Sequence, residues 1–258
     1  MRKVLAGFLS FISFVFANEL ILKEEGLSTY IQEEEFMVAE GENVIGPITL
    51  LPIAITEGLV IKNDELNIKN LVLEGNNKDW KDVLKGQVIS VEGEGRFIRG
   101  EVVEIKGQQI MLDTKKGYVV TTLPKFPSKL SSHLNWSELF SPKITFKVSA
   151  KEAKTEKFRL VYPVKGLRWK SSYILEIENG RKILTGYISL INDTPLYIKN
   201  VDIKLVKENK TVKVLKNSSI PPFSKKKIQF LKKGLTDVNV KGLIPGKVAV
   251  YKNGIFQY

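Results

Sequence analysis

Apolar and polar side chains alternate with period two along most of this chain, the signature of half-buried strands rather than of helices. Tyr173-Ile174-Leu175-Glu176-Ile177-Glu178 puts Tyr173, Leu175 and Ile177 on one face, and Val201-Asp202-Ile203-Lys204-Leu205 alternates apolar and charged positions. Turn formers separate such runs: Glu178-Asn179-Gly180, Asn192-Asp193-Thr194-Pro195, Glu208-Asn209-Lys210, Asn217-Ser218-Ser219 and Lys252-Asn253-Gly254. Strands and turns at this spacing predict an antiparallel, immunoglobulin-like β-sandwich over residues 136–258.

The middle of the chain carries a second β signal. Runs at 86–91, 96–105, 109–113 and 118–122 are joined through Gly93-Glu94-Gly95, Lys106-Gly107 and Lys116-Gly117. Four short strands with glycine turns predict a small SH3-like or Sm-like barrel over 79–128, because closure removes exposed edges. Asp79-Trp80-Lys81-Asp82-Val83-Leu84 reads as one helical turn and Ser137-Glu138-Leu139-Phe140 as another. Residues 18–78 read as an extended N-terminal β segment. Pro124, Pro127 and Pro142 bracket the polar stretch Ser128-Lys129-Leu130-Ser131-Ser132-His133, which predicts the boundary before the sandwich. The fold class expected is all-β.

The first residues change the address rather than the fold. Met1-Arg2-Lys3 precedes an apolar run from Val4 to Phe16, and Val15 and Ala17 suit positions −3 and −1 of a cleavage site. This predicts a secretory signal peptide over 1–17 and a mature start at Asn18. The later apolar stretch 48–55 is eight residues long and interrupted by Pro52, so no integral span is expected after cleavage. The expected compartment is the periplasm or the cell exterior.

Composition narrows the chemistry. The 258 residues are 43% hydrophobic, enough for packed cores, and include no cysteine and one histidine. Disulfides, thiolate metal sites and a cysteine nucleophile are excluded, and a multi-histidine metal centre has no residues to build it. No cofactor is expected. His133 beside Ser131 and Ser132 lacks any nucleophile-elbow context and reads as a loop histidine. Glu33-Glu34-Glu35 reads as a solvated run. Glu176 and Glu178 share a strand face, which keeps a glycan hydrolase as an alternative function.

Charge is divided unevenly. Residues 1–150 hold 17 basic and 20 acidic side chains, whereas 151–258 hold 23 basic and 8 acidic. Lys225, Lys226, Lys227, Lys232 and Lys233 form the densest group and are candidates for binding an anionic envelope polymer. A second reading makes them guards of a strand edge, since lysine there opposes edge-to-edge pairing. Export argues against nucleic acid as a partner. A protein partner that adds a strand to an exposed sheet edge is the competing interaction mode.

The segment 158–173 carries a Y-x-x-x-G-x-x-W-x-x-x-Y block, formed by Tyr162, Gly166, Trp169 and Tyr173. A strand ending in Asn192-Asp193-Thr194, then Tyr197 and the strand 201–205, follow it. This arrangement resembles the domain of unknown function 4139, the C-terminal domain of mucoidy-inhibitor A-like proteins, in a short form without the coiled coil. The resemblance implies an all-β envelope protein and brings no established activity or catalytic residues; the function expected is that of a non-catalytic binding or interaction module. It also implies further strands beyond Gly246-Lys247-Val248-Ala249-Val250-Tyr251, so a short or incomplete sandwich is expected. Tyr162, Trp169 and Tyr173 are the candidate aromatic anchor, either core or an exposed ligand platform.

Overall fold

The computed structural model describes residues 18–75, 80–125, 127–237 and 242–257. The signal-peptide expectation falls on 1–17, outside the described residues. In chain order the strands begin with β1 (Glu19–Lys23), β2 (Ser28–Val38), β3 (Gly41–Thr49), β4 (Val60–Lys62), β5 (Ile68–Glu74) and β6 (Val88–Gly93). There follow β7 (Arg96–Lys106), β8 (Gln109–Thr114), β9 (Gly117–Thr122), β10 (Lys129–Ser132), β11 (Lys143–Ala150) and β12 (Lys154–Val164). The rest are β13 (Leu167–Glu178), β14 (Arg181–Asn192), β15 (Ile198–Lys207), β16 (Lys210–Ile220), β17 (Ser224–Gly234), β18 (Lys247–Lys252) and β19 (Ile255–Gln257). The two predicted helical turns are present as α1 (Trp80–Val83) and α2 (Trp136–Phe140). The protein is therefore all-β, and no helix among the described residues is long and apolar enough to cross a membrane.

The chain forms two compact units, and the division is not the one its composition suggests. Among the described residues, one unit takes those within 18–44, 57–69 and 147–257; the other takes those within 45–56 and 70–146. The stretch 18–78, expected as a segment of its own, is shared between them. Its first strand lies inside a sheet of the larger unit, ordered β16-β15-β1-β2-β12-β4. There β1 runs parallel to β15, so Leu20 sits opposite Ile203 and Leu22 opposite Leu205. All four are fully buried, each worth about 1.5–3 kcal/mol of transfer free energy. Alternation marks these residues as strand but carries no information on which strand they join.

The second sheet of this unit has the order β17-β14-β13-β18-β19, with β18 again parallel to its neighbour. Three expected turns are present: Asn179-Gly180, Glu208-Asn209 and Asn253-Gly254 all hold positive φ, the requirement of tight hairpin turns. Asn217-Ser218-Ser219 differs. It lies within β16, where the pairing shifts between Val201 and Ile203, Asn217 adopts φ +43° and its N–H donates to Asp202 Oδ1 at 3.0 Å. The turn-forming asparagine serves a bulge instead of a turn.

The smaller unit is built on an open five-stranded sheet, β10-β6-β7-β8-β9. Its fifth strand, β10, comes from the polar stretch read as a boundary, and pairs Leu130 with Val91. The long β7 pairs with β6 through residues 96–101 and with β8 through 101–106, shifting register between Val102 and Glu104. The sheet curls along that strand. Arg96, at the beginning of β7, donates to Thr121 Oγ1, to Thr122 Oγ1 (3.2 Å) and to Thr122 O (3.0 Å) at the end of β9. The inner face packs Leu84, Ile89, Val91, Val102, Ile110, Leu112 and Leu123. Backbone pairing does not close the sheet, so where a closed barrel is expected the structure has an open five-stranded sheet. A further sheet has the order β3-β11-β5.

Candidate functional site

The aromatic block is core. Tyr162 and Trp169 are fully buried and Tyr173 nearly so. Each polar handle is spent inside: Tyr162 Oη donates to Gln32 Oε1 at 2.9 Å, the Trp169 indole N–H to Val206 O at 3.1 Å, and Tyr173 Oη to Ile244 O. Burial pushes the Tyr173 phenol up, opposed by its bond to Ile244. Tyr162 packs against Tyr30 at 5.7 Å between ring centroids, and burial raises the Tyr30 phenol to about 12. Tyr173 meets Phe230 edge-on at 5.8 Å. Gly186 makes room for that pair, since a Cβ there would lie 2.9 Å from both rings. A ligand platform at these three residues has no exposed ring face.

The lysines occupy two edges of the larger unit. Lys225, Lys226, Lys227, Lys232 and Lys233 are exposed on β17, the edge of one sheet. Lys210, Lys213 and Lys216 stand on β16, the edge of the other. The two strands meet through side chains: Lys226 Nζ donates to Ser219 O at 3.1 Å, and Lys213 Nζ is 5.8 Å from the Phe230 ring centroid. Between residues 210 and 234 there are eight lysines and no carboxylate. Register places Lys226 opposite Leu190, and Lys225 and Lys227 opposite Ile191 and Ser189, so the triplet divides between the two faces of its strand.

The acidic N-terminal strands temper this charge. From residue 18 onward the larger unit holds 27 basic and 19 acidic side chains, less lopsided than the C-terminal half of the sequence. Glu19 pairs with Lys204 at 2.7 Å and Glu24 with Lys207. The glutamate run also finds partners, Glu33 and Glu35 standing 3.7 Å from Lys157 and Glu33 3.8 Å from Arg159. Deeper in the same sheet, the Asn63 amide holds the Glu156 carboxylate below the usual range, and Lys154 assists against the opposing effect of burial.

The residues raised for catalysis do not converge. His133 is exposed beside β10, and Ser132 Oγ is occupied in accepting the Leu134 N–H at 3.2 Å. Glu176 and Glu178 are exposed on β13. A cavity of about 460 Å³ in the larger unit is lined instead by Lys23, Glu24, Glu25, Val206, Lys207, Glu208 and Asn209. A smaller one of about 250 Å³ in the other unit is lined by residues including Leu84, Leu130, Leu134 and Leu139. Among the described residues, no group of three or more His, Asp or Glu side chains is arranged to hold a metal ion.

What sequence reading missed is a loop tip organised by Asn192. This fully buried side chain donates through Nδ2 to Leu196 O (2.7 Å) and Pro221 O (2.9 Å). Its Oδ1 accepts the Thr194 N–H (3.0 Å) and Thr194 Oγ1–H (2.6 Å). It thereby ties the 193–197 loop to the turn at 221–223. Phe223 N–H donates to Thr194 O at 3.0 Å, and Asp193 N–H to Gly166 O at 2.8 Å, which adds the β12–β13 turn. Outside this hub lie Lys165, Pro195, Tyr197, Lys199, Phe223 and Lys225, all exposed. An Asn-x-Thr at the end of a strand reads as an ordinary turn, so only the long-range bonds identify the hub. No family model matches the chain, and neither a curated protein nor a solved structure matches it.

Proposed function

We propose that this is a non-catalytic, exported binding module that attracts anionic polymers of the cell envelope through the β16–β17 corner. The observation that carries the reading is the group of eight lysines on two edge strands, of which Lys216 is paired with Asp202 of β15 while the stretch 210–234 itself holds no carboxylate. Such a strip concentrates counter-charge over a Debye length, about 10 Å at 0.1 M salt. Lysine rather than arginine dominates it, which suits a diffuse polymer better than a bidentate fork site. The larger unit is read as an immunoglobulin-like sandwich, supported by interlayer bonds such as Trp169 to Val206 and Ser28 Oγ to Leu167 O (2.7 Å). The smaller is read as an open SH3-like barrel, supported by the partner switch along β7 and the Arg96 bridge. The block of Tyr162, Gly166, Trp169 and Tyr173 supports kinship with the domain of unknown function 4139.

The test is binding to a soluble acidic polysaccharide, polygalacturonate, in a salt series. Affinity should fall on the order of tenfold or more between 50 and 500 mM salt. Triple charge reversal at Lys225, Lys226 and Lys227 should weaken it at least as much. Affinity indifferent to both removes the electrostatic reading. A strand-edge partner is the second reading, favoured by β5, an edge strand on which Leu71, Val72 and Leu73 are all exposed; lysine reversal would leave such a partner bound.

A further inference from the structure

Phe223 is 72% exposed, on the turn between β16 and β17, and its φ is +44°. A bulky side chain seldom occupies the left-handed region, which glycine or asparagine fills at less cost. The strain obtains no core packing in return, because the ring points outward. The surrounding backbone is nevertheless pinned. Asn192 holds Pro221 O, Ser224 Oγ donates to the same carbonyl at 2.7 Å, and Phe223 N–H is bonded to Thr194 O. The ring is thus presented on a rigid mount, in a conformation with no evident structural return.

Its neighbours complete a surface of one chemical kind. Pro195 and Tyr197, the latter 44% exposed, lie on the loop that Asn192 ties to this turn. Lys199 Nζ stands 5.0 Å over the Tyr197 ring, Lys225 follows Phe223 by two residues, and Lys165 adjoins Gly166, whose carbonyl receives the Asp193 N–H. Asp193 is paired with Arg168. The amide and hydroxyl groups that could read a sugar are turned inward: Asn192 and Thr194 are buried and mutually bonded, and Ser224 is spent on Pro221. What faces outward is an apolar ring without a polar handle, a tyrosine, a proline and ammonium groups, beside the exposed Asp193–Arg168 ion pair.

We propose that this tip docks on an anionic lipid bilayer, the Phe223 ring entering the headgroup layer and Lys165, Lys199 and Lys225 meeting the lipid phosphates. The proposal rests on the anionic-envelope reading above and narrows it to a membrane surface. An apolar wedge with flanking lysines is the combination that interfacial binding uses, apolar insertion adding to attraction by the surface charge. A glycan chain would need free amide and hydroxyl groups around the rings, and here Asn192, Thr194 and Ser224 are bonded internally while the exposed Asp193 is paired with Arg168.

The protein recovered after export is mixed with vesicles of phosphatidylcholine and phosphatidylglycerol at 3:1, with pure phosphatidylcholine vesicles, and with soluble polygalacturonate. Wild type should bind the mixed vesicles better than the neutral ones. Phe223→Gly and Phe223→Asn, both at ease at positive φ, should keep or raise the thermal midpoint. Both should bind the mixed vesicles on the order of tenfold more weakly, with polygalacturonate binding unchanged. Vesicle binding by Phe223→Gly equal to wild type overturns the proposal, as does an equal loss toward vesicles and polygalacturonate, which would make the ring a polymer contact. Failure of the polymer reading is separately visible, as polygalacturonate binding that survives reversal of Lys225, Lys226 and Lys227.

Discussion

Gly166 stands so close to Thr194 that a Cβ at position 166 would overlap the threonine γ-methyl. Thr194 cannot swing away, because its hydroxyl and its N–H are both held by Asn192. Gly166 also adopts φ +77°. Gly166→Ala should therefore cost about 2–3 kcal/mol, of which about 1–2 is backbone strain. Thr194→Ser keeps the hydroxyl and removes the methyl. In the Gly166→Ala background it should recover the steric part alone, leaving about 1–2 kcal/mol. Chemical denaturation of the four proteins measures this, and additive costs would show that the two sites do not touch.

Asn192 has the highest stakes among the polar residues, since one buried amide satisfies two carbonyls and receives two donors. Asn192→Ala should cost about 3 kcal/mol by denaturant unfolding, the range for leaving several buried groups unpaired. Asn192→Asp should be nearly as harmful, because a carboxylate cannot donate to Leu196 O and Pro221 O. Both should also weaken vesicle binding, through the turn that carries Phe223. An aspartate variant as stable as wild type would mean that the two carbonyl bonds contribute nothing.

These positions mark how far the sequence can be read. Period-two alternation locates Tyr173, Ile203 and Leu205 on inward faces because a pleated strand shows its burial in its own residues. Pairing is different. Leu20 and Leu22 say "strand", and nothing local says that β1 lies parallel to β15, near the other end of the chain. Strand β10 escapes notice because Lys129-Leu130-Ser131-Ser132 has a single apolar residue, which is all an edge strand needs. Asn192 and Phe223 are invisible for a related reason, as their roles reside in bonds to residues 4 to 29 positions away. The acid-rich start and the lysine-rich end look like separate bodies, yet Glu19 and Lys204 are neighbours in one sheet.

In the smaller unit, Arg96 replaces missing backbone closure with a guanidinium that reaches β9. Arg96→Lys keeps the charge and loses the planar fork that reaches Thr121, Thr122 and Glu94 together. The local cost should be about 1–2 kcal/mol. Hydrogen exchange is the suitable readout, because the effect is confined to one edge. Amides of β9 should exchange about 5- to 30-fold faster in the variant, while those of β15 keep the wild-type rate. Protection of β9 unchanged from wild type would mean that the bridge is incidental.

Glu156 gives the larger unit a defined acid sensitivity. Its carboxylate receives the Asn63 Nδ2–H at 2.8 Å, lies 2.9 Å from Lys154 Nζ and is 7% exposed. Because these contacts lower its pKa from an ordinary value of 4.5, the stabilisation is complete above that value. It is lost as pH falls through the depressed one. Glu156→Gln removes the charge while keeping an oxygen for Asn63, so it should cost about 1–2 kcal/mol at pH 7, the difference between a charge-assisted and a neutral bond. The deficit should shrink as wild type is titrated from about pH 5 downward, until the protonated wild-type carboxyl is as neutral as the variant's amide. Urea unfolding of both proteins at pH 7, 5, 4 and 3 measures the gap directly. A gap that stays constant across the series would show that the carboxylate is not held low by its neighbours.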